Sequence, residues 1–321
     1  MYHFVRDLAH SRFPRLTALN RDDFVEQLCF LKRYYTFISM EDLVDAAVNK
    51  EPLPPHAALL TFDDGYLDHF LTVFPLLVKF GIKGSFFPSA KAVCDNEVLL
   101  VNKIQLVLAS CTDVGPIVQH IFNVMDSYRQ AANLPPNDVV YDSLCTQSRY
   151  DTKDVTFIKR VLQYGLPRDL GSKIADHLFS EYVTKDDAAF ARELYVDKEQ
   201  LQCMIAHGMY VGSHGYDHRW LNTLSSEDQR VEITKSLEFL GELGAPTSKW
   251  VMCYPYGGYD DRLVELLRTL GCALGLTVDV GVADTLKHDP LLLPRLDTND
   301  FPKDRNAPPD RWTKMVTSGS A

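Results

Sequence analysis

Short apolar runs alternate with amphipathic helical patterns over most of this chain, and that alternation restricts its fold more than any other feature. Strand-like apolar runs lie at residues 2–5, 57–62, 84–87, 209–213, 249–254, 273–277 and 291–293. Apolar residues at helical spacing lie between them, at 21–34, 67–80, 227–243 and 261–270. Ser39 is placed to cap a further helix that starts just after it. Strands that alternate with helices in this way favour a parallel α/β fold.

The alternation is lost between about residues 93 and 195. This segment has helical patterns at 101–108, 117–130, 156–162 and 171–179, and it contains no pattern typical of a strand. We therefore expect one domain over residues 1–321 with a mostly helical insertion at about 93–195. Because the insertion lies between strands that carry candidate site residues, we expect it to overhang the site and to select the substrate.

Composition and charge exclude several classes of protein. Of the 321 residues, 46% are hydrophobic and 24% are charged, which is typical of a globular protein with a large core. The net charge is -10 and there is no block rich in lysine or arginine, so we expect no nucleic-acid partner. The sequence has no run of about 18 apolar residues, so we also expect no membrane span.

The cysteines predict a reducing compartment. There are 7 of them, an odd number, and they show no paired short spacing. This is typical of small buried apolar residues, and not of a disulfide framework or a thiolate metal site. The N-terminal segment carries charge at Arg6 and Asp7 and has no long apolar stretch, so we expect no secretory signal. These features predict a cytoplasmic protein, with a disordered polar tail at residues 317–321.

Two adjacent aspartates, Asp63 and Asp64, end one of the apolar runs. Two like charges this close repel each other unless a cation lies beside them. A second apolar run leads into His214 and His218, and on a helical turn two side chains four residues apart lie on one face. Asp64 and the two histidines form a set that can bind zinc or a similar divalent metal with positions left open. Asp63 is then left to act as a base.

The histidines have an alternative interpretation, with His214 as a capping or core residue and His218 as a solvated one. The presence of the Asp63–Asp64 pair at the end of another predicted strand favours the metal site. Tyr256 and Arg295 also follow predicted strands. Candidate chemistry at several strand ends is the pattern of an active site at the carboxyl end of an α/β barrel.

Three short motifs resemble those of the polysaccharide deacetylase (NodB-homology, carbohydrate esterase) family. Residues 61–65 read Thr-Phe-Asp-Asp-Gly, residues 214–218 read His-Gly-Tyr-Asp-His, and residues 254–257 read Tyr-Pro-Tyr-Gly. They are similar to the first three motifs of the family, and the resemblance covers residues 1–92 and about 195–300. It implies a distorted (β/α) barrel with a helical insertion between its early and late strands.

The resemblance also implies roles for individual residues. Asp63 would be the general base, and the metal ligands would be Asp64, His214 and His218. The backbone N–H of Tyr256 would bind the oxyanion that forms during hydrolysis. The implied metal is Zn²⁺, with Co²⁺, Ni²⁺ or Mn²⁺ as alternatives, and the implied partner is a sugar or glycan substrate.

Two positions depart from the motifs of the family. Gly215 stands where the second motif has Ser or Thr, and we expect this to change loop hydrogen bonds more than metal affinity. Cys253 stands where the third motif has an arginine that steadies the catalytic aspartate. We expect Arg295 to supply that charge, the alternative being a structural pairing of Arg295 with Asp297 or Asp300.

The proton donor for the departing amine has two candidates. His288 superficially matches the late histidine of the family, but it lies in a polar stretch before the last predicted strand. That position favours a solvated loop histidine. The alternative donor is Asp63, which would return the proton that it takes in the first step.

The predicted function is a metal-dependent hydrolysis that removes an N-acyl group (acetyl or formyl) from an amino sugar in a glycan, glycolipid or sugar precursor. The expected setting is surface-polysaccharide biosynthesis, such as that of lipopolysaccharide or O-antigen. Two alternatives stay open. The missing third-motif arginine favours a barrel that binds carbohydrate without catalysis. Hydrolysis of another C–N bond, such as that of a cyclic imide, would use the same metal chemistry. The sequence leaves the oligomeric state open.

Overall fold

The computed structural model describes residues 1–146 and 151–318. Most of the tail that was expected to be disordered, residues 319–321, lies outside the described residues. The chain falls into two compact units. Unit 1 comprises residues 1–7, 18–97 and 192–321, and unit 2 comprises residues 8–17 and 98–191.

The strands that the structure describes lie in unit 1, and all except β9 are short. Their bounds are β1 (Val5–Arg6), β2 (Leu19–Asn20), β3 (Thr36–Phe37), β4 (Ala57–Ala58), β5 (Leu60–Asp64), β6 (Gly84–Pro88), β7 (Tyr210–Val211), β8 (Trp250–Cys253), β9 (Cys272–Val280) and β10 (Leu293–Arg295). One parallel sheet has the order β5-β6-β7 and another has the order β10-β9-β8. β1 pairs with β2 and β3 with β4, also in parallel. The parallel α/β class predicted from the sequence is confirmed.

The described strands form separate sheets and no closed barrel. Two single-residue parallel bridges extend the pairing: Tyr2 pairs with Phe62 of β5, and Ser213 pairs with Met252 of β8. The apolar run at residues 2–5 therefore contributes one bridge and the first residue of β1 instead of a full strand. A distorted barrel stays a proposal.

The helices lie mainly between the strands and in unit 2. Their bounds are α1 (Arg21–Tyr34), α2 (Met40–Asn49), α3 (Phe74–Phe80), α4 (Ala90–Cys94), α5 (Leu100–Ser110), α6 (Gly115–Tyr128), α7 (Asn137–Leu144), α8 (Lys153–Arg160), α9 (Arg168–Tyr182), α10 (Asp187–Leu194), α11 (Lys198–Ala206), α12 (Ser226–Leu243), α13 (Asp261–Thr269) and α14 (Arg311–Thr317). Among the described residues, no helix combines the length and the apolar character that crossing a membrane requires.

The helix predicted at 21–34 and the predicted Ser39 cap are confirmed, and the structure adds Asn20 as the cap of the first helix. Asn20 precedes α1 and its side chain accepts a hydrogen bond from the N–H of Asp22, so one otherwise unpaired donor at the helix start is satisfied. The buried face of α1 includes Phe24 and Leu28, which are fully buried. Ser39 starts α2 with a reciprocal pair of hydrogen bonds to the third helical residue.

Two predicted elements are divided in the structure. The strand predicted at 57–62 consists of β4 and β5, and β5 continues two residues further than predicted, to Asp64. The helix predicted at 67–80 begins as a π-helical turn at His69–Val73 and continues as α3. Pro75 has no N–H to donate, so a single run of α-helical hydrogen bonds cannot pass through this point.

The end of β5 is held by aromatic packing beneath it. The Phe62 ring lies between the rings of Tyr2 and Phe86, with centroid distances of 5.2 and 4.9 Å, and it contacts Phe24 edge to face. Phe62 is fully buried. Because side chains alternate along a strand, this packing fixes which way the following aspartates of β5 face.

Unit 2 contains α5 to α9 and the first part of α10. The four helical patterns predicted for the middle of the chain correspond to α5, α6, α8 and α9, and the described residues of unit 2 contain no strand. Buried Lys103 forms ion pairs with Asp176 and Asp187, with N–O distances of 2.7 and 2.5 Å. The bounds of an insertion stay a prediction.

We expect Leu28→Ala to lower the free energy of unfolding by about 2–5 kcal/mol, because it leaves a cavity under α1. Leu71→Ala is the matched control: Leu71 is 62% exposed, so its truncation should change stability by no more than about 0.5 kcal/mol. Chemical denaturation followed by tryptophan fluorescence measures both, since Trp220, Trp250 and Trp312 all lie in unit 1. Equal effects of the two variants would contradict the packing described for α1.

Candidate metal centre

The candidate ligands meet at the carboxyl ends of two strands of one sheet, β5 and β7. Asp64 is the last residue of β5, and His214 and His218 lie in the loop that follows β7. This loop is not a helical turn, so the prediction that a helical turn puts both histidines on one face was wrong. They are brought together by an irregular loop in which Gly215 has φ +71° and His218 has φ +45°.

One carboxylate oxygen faces both histidines. Asp64 Oδ1 lies 3.3 Å from His214 Nε2 and 3.1 Å from His218 Nε2, and all three side chains are buried. Within the described residues, no donor approaches Oδ1 with hydrogen-bond geometry. Because a buried carboxylate oxygen without such a partner is costly, its position between two imidazole nitrogens fits a bound divalent cation.

The neighbours of these residues hold them in the orientation that a metal requires. The Tyr66 hydroxyl donates to Asp64 Oδ2 at 2.5 Å, which leaves Oδ1 to face the histidines. His214 Nδ1 donates to the carbonyl of Cys253 at 2.7 Å, so the Nε2 lone pair is available for a ligand. Both contacts are buried.

The electrostatics keep Asp64 ionised. Burial raises the pKa of Asp64, but His214 and His218 outweigh burial and hold it well below its usual range. Burial lowers the pKa of His218, whereas at His214 the nearby Cys253 and Asp64 outweigh burial and raise the pKa. A metal at this cluster would therefore bind an ionised carboxylate and compete with a proton on His214.

A second group of potential ligands, formed by Asp63, His214 and Cys253, also converges. It fits a metal less well, because both carboxylate oxygens of Asp63 and the Nδ1 atom of His214 already form hydrogen bonds. Arg295 Nη1 and Nη2 donate to the two oxygens of Asp63, at 3.0 and 2.9 Å. His214 Nδ1 is bonded to a backbone carbonyl. The set containing Asp64 is thus the better candidate.

Arg295 contacts the aspartate that its sequence position suggested. Its guanidinium also donates to Thr61 Oγ1 at 3.1 Å and to the carbonyl of Thr277 at 2.9 Å, and it is buried. Asp297, one alternative partner, instead caps the short helical turn at Thr298–Asp300. Burial raises the pKa of Asp63, but the charges of Arg295, His214 and His3 outweigh burial and lower it.

Tyr256 lies just after β8 and has a left-handed backbone, with φ +56° and ψ 7°. Its ring meets the ring of His218 edge to face, with centroids 4.5 Å apart. Its other neighbour is Trp220, whose ring is stacked on it at 4.7 Å with the planes within 4°. Tyr256 therefore belongs to the same cluster as the candidate ligands.

His3, which was not among the predicted site residues, is an exposed residue beside this cluster. The preceding residue, Tyr2, pairs with Phe62 in β5, and the carbonyl of His3 accepts a hydrogen bond from buried His69 Nε2 at 2.9 Å. The charge of His3 is one of those that act on Asp63. The signal in the sequence was the position of His3 within the first strand-like run. His288, by contrast, is exposed in a loop, where its Nδ1 accepts from the N–H of Asp284.

Comparison with known proteins agrees with the motifs. Residues 170–275 match the family model for polysaccharide deacetylase. The resemblance to the polysaccharide deacetylase family is confirmed. The matched segment includes His214, His218 and Tyr256, while Asp63 and Asp64 lie before it.

One curated relative is the putative polysaccharide deacetylase YxkH of Bacillus subtilis (strain 168), 27% identical over 89 residues. The match spans 28% of this chain and 32% of that relative, so the chain covers about a third of the length of the relative.

Solved structures of deacetylases are similar over nearly the whole chain. IcaB from Ammonifex degensii has a TM-score of 0.54 at 19% identity, with 100% of this chain and 96% of that chain covered. Deacetylase PplD of Streptococcus pyogenes, in complex with acetate, has a TM-score of 0.53 at 18% identity, with 92% and 89% covered. The BpsB deacetylase domain from Bordetella bronchiseptica has a TM-score of 0.51 at 16% identity, with 92% and 94% covered. At these identities the likeness concerns the fold.

The structure gives physical reasons for the two departures from the deacetylase motifs. Gly215 adopts φ +71°, a left-handed conformation that glycine enters more easily than Ser or Thr. Cys253 is buried beside Arg295 and Asp63. Its small side chain lies next to a guanidinium that arrives from β10, so the charge missing from β8 is present at Asp63.

We expect Arg295→Met to lower the free energy of unfolding by about 3–5 kcal/mol, because it leaves the buried charge of Asp63 unpaired. The double variant Asp63→Asn/Arg295→Met should be less destabilised than Arg295→Met alone. Urea denaturation at neutral pH in the presence of a chelator measures these differences. Since the pKa of Asp63 is lowered in the folded protein, the stabilisation is present at neutral pH and is lost as the pH falls below about 4. A double variant no more stable than the single one would contradict the pairing.

Proposed function

We propose that this protein is a metal-dependent hydrolase that removes an N-acyl group, acetyl or formyl, from an amino sugar. The sugar would be part of a glycan, a glycolipid or a sugar precursor in surface-polysaccharide biosynthesis. The observation that carries the proposal is the buried set of Asp64, His214 and His218 directly beside an aspartate–arginine pair. A set of metal ligands next to a second carboxylate that does not bind the metal is the arrangement that metal-assisted hydrolysis requires.

The proposed metal ligands are Asp64 Oδ1, His214 Nε2 and His218 Nε2, whose mutual distances and burial support the assignment. Two imidazoles and one carboxylate suit Zn²⁺, with Co²⁺, Ni²⁺ or Mn²⁺ as alternatives. When bound, such an ion would supply Lewis-acid chemistry, polarising a carbonyl group and making a water molecule more acidic.

Asp63 is the proposed general base. Its lowered pKa keeps it ionised at neutral pH, the form that can accept a proton. Arg295 donates one hydrogen bond to each carboxylate oxygen of Asp63. An ionised carboxylate has further lone pairs that can accept a hydrogen bond from a water molecule. Arg295 is thus proposed to fix the orientation of the base.

Tyr256 is the proposed oxyanion binder. Its left-handed backbone turns the chain directly after β8, and its ring contact with His218 places it beside the ligand set. A backbone N–H held rigidly at such a turn can stabilise a developing negative charge. Trp220, stacked on Tyr256 and partly exposed, is placed to contact the sugar ring.

His3 is the proposed proton donor for the departing amine. It is exposed beside the end of β5, and its backbone is held on one side by the bridge at Tyr2 and on the other by His69. His288 is less suited, because its Nδ1 is bonded to the loop that carries it. Proton return from Asp63 stays the alternative.

The wider fold is also part of the proposal. We propose that the parallel strands form a distorted barrel within a single domain over residues 1–321. The bridges that extend the two three-stranded sheets support this arrangement. The helical segment at about 93–195 is proposed to be an insertion that selects the substrate.

The two competing functions have less support. A barrel that only binds carbohydrate was favoured by the missing arginine of the third motif, but Arg295 pairs with Asp63 and supplies the charge from another strand. Hydrolysis of a cyclic imide would use the same ligand set. Release of acetate from N-acetylated sugars without ring opening of imides would distinguish the two reactions.

The deciding experiment measures zinc content and acetate release for three forms of the protein. Wild type should hold about one zinc ion per chain and release acetate from an N-acetylglucosamine oligosaccharide. His214→Ala should lose both the metal and the activity. Asp63→Asn should keep the metal, while its rate falls by about 10²–10⁴-fold, because only the base is removed. Wild type without zinc after reconstitution, or an active Asp63→Asn variant, would contradict the proposal.

We expect His3→Gln to lower kcat for the N-acetylated oligosaccharide by about 10²–10⁴-fold. The same variant should keep its activity on 4-nitrophenyl acetate, because that leaving group departs without a donated proton. Steady-state kinetics on the two substrates, at equal zinc content, measures the difference. An equal loss on both substrates would argue for a structural role of His3, and no loss on either would favour Asp63 as the donor.

A further inference from the structure

The helix α12 carries a stripe of buried polar side chains, where a helix packed on a core is usually apolar. Gln229, Glu232 and Ser236 are spaced three and four residues apart, so they lie on one face. They are 1%, 5% and 1% exposed. Burying polar groups is unfavourable unless each one is hydrogen bonded, so the partners of this stripe indicate what it does.

Every member of the stripe forms a hydrogen bond to residues 213–221, the segment that contains the loop with the two candidate histidine ligands (residues 214–218). Ser236 Oγ lies 2.7 Å from Ser213 Oγ, immediately before His214. Gln229 Nε2 donates to the carbonyl of Leu221 at 3.0 Å, three residues after His218. The stripe therefore holds both ends of the loop.

Glu232 serves the middle of the loop. Its Oε2 accepts hydrogen bonds from the backbone N–H groups of Tyr216 and Asp217, at 3.1 and 2.9 Å. On the opposite side, the carbonyls of Gly215 and Tyr216 accept from the N–H groups of α4. Donors and acceptors of the loop backbone are thus satisfied by two different helices, and Glu232 is the charged partner.

The loop needs such support because its backbone is strained. His218 has φ +45°, a left-handed conformation that is uncommon for residues other than glycine. Such a conformation persists only where the surroundings hold it. The two N–H groups that Glu232 accepts belong to the residues between the two histidines, so a shift of this carboxylate would change the separation of the two imidazoles.

We propose that Glu232 is a positioning residue, which holds His214 and His218 at the separation required to bind one metal ion. This inference rests on the proposed function, because it assumes that the two histidines are metal ligands. A carboxylate suits the task since a charged acceptor forms stronger hydrogen bonds to N–H groups than a neutral one.

The test measures the zinc affinity of the full chain by competition with a chelator, together with the visible spectrum of the Co²⁺-loaded protein. Glu232→Ala should weaken zinc binding by about 10- to 100-fold and alter the Co²⁺ spectrum. Glu232→Gln keeps an acceptor oxygen without its charge, so its loss should be on the order of a few-fold. Glu238→Gln removes the same charge from an exposed position of α12 and should leave affinity and spectrum unchanged.

The possible results are distinguishable. If Glu232→Ala does not fold, Glu232→Gln decides, and wild-type affinity in that variant would overturn the inference. Variants with a lower melting temperature but wild-type zinc affinity and spectrum would show a role in stability alone, which also overturns it. A wild type that binds no zinc would overturn the proposed function and, with it, this inference.

Discussion

The buried ion pair between Asp63 and Arg295 is the interaction on which the candidate site depends. It joins the ends of β5 and β10, 232 positions apart in the sequence. The same guanidinium bonds to Thr61 of β5 and to Thr277 of β9, so one side chain connects both three-stranded sheets. Taking two charges out of water is costly, and a pair like this one is stable only when its remaining donors are also satisfied. Here Nε, Nη1 and Nη2 all have acceptors, and without the guanidinium two adjacent buried carboxylates would repel each other.

The site also concentrates backbone strain. Asp64, His218 and Tyr256 have φ values of +74°, +45° and +56°, although none of them is a glycine. Residues in this region cost free energy and persist where neighbouring contacts fix them. Those contacts are present: the Tyr66 hydroxyl holds Asp64, and the stacked ring of Trp220 backs Tyr256. Three residues with a left-handed backbone therefore lie within one cluster, which contains the two candidate histidine ligands.

Local sequence patterns predicted the parts of the fold that local forces determine. The bounds of α1 and the Ser39 cap follow from apolar spacing and from hydrogen bonds within a few residues, so both could be predicted. The conformation of the loop at 214–218 could not be predicted, because it depends on contacts with distant parts of the chain. Glu232 of α12 lies at least 14 residues from the loop in sequence, and α4 lies more than 100 residues from it. His3 was missed for the same reason: only pairing of Tyr2 with β5 brings it to the site. Pairing of Arg295 with Asp63 was one of two alternatives, since a motif shows that a charge is missing and not which strand supplies it.

The third motif of the family has an arginine at the position of Cys253 on β8, whereas in this chain Arg295 of β10 lies beside Asp63. This difference indicates what the motif requires physically. In a parallel α/β fold the carboxyl ends of several strands meet, so a guanidinium from any of them can reach the same aspartate. Cys253 occupies the β8 position with a small buried side chain, and Arg295 arrives from β10 to bond both oxygens of Asp63. The requirement is therefore a positive charge at Asp63, the proposed base, held in a fixed geometry, and not an arginine at one position. Because the same pairing also stabilises the buried carboxylate of Asp63, it supports the proposed hydrolysis over binding alone only together with the ligand set that lies beside it.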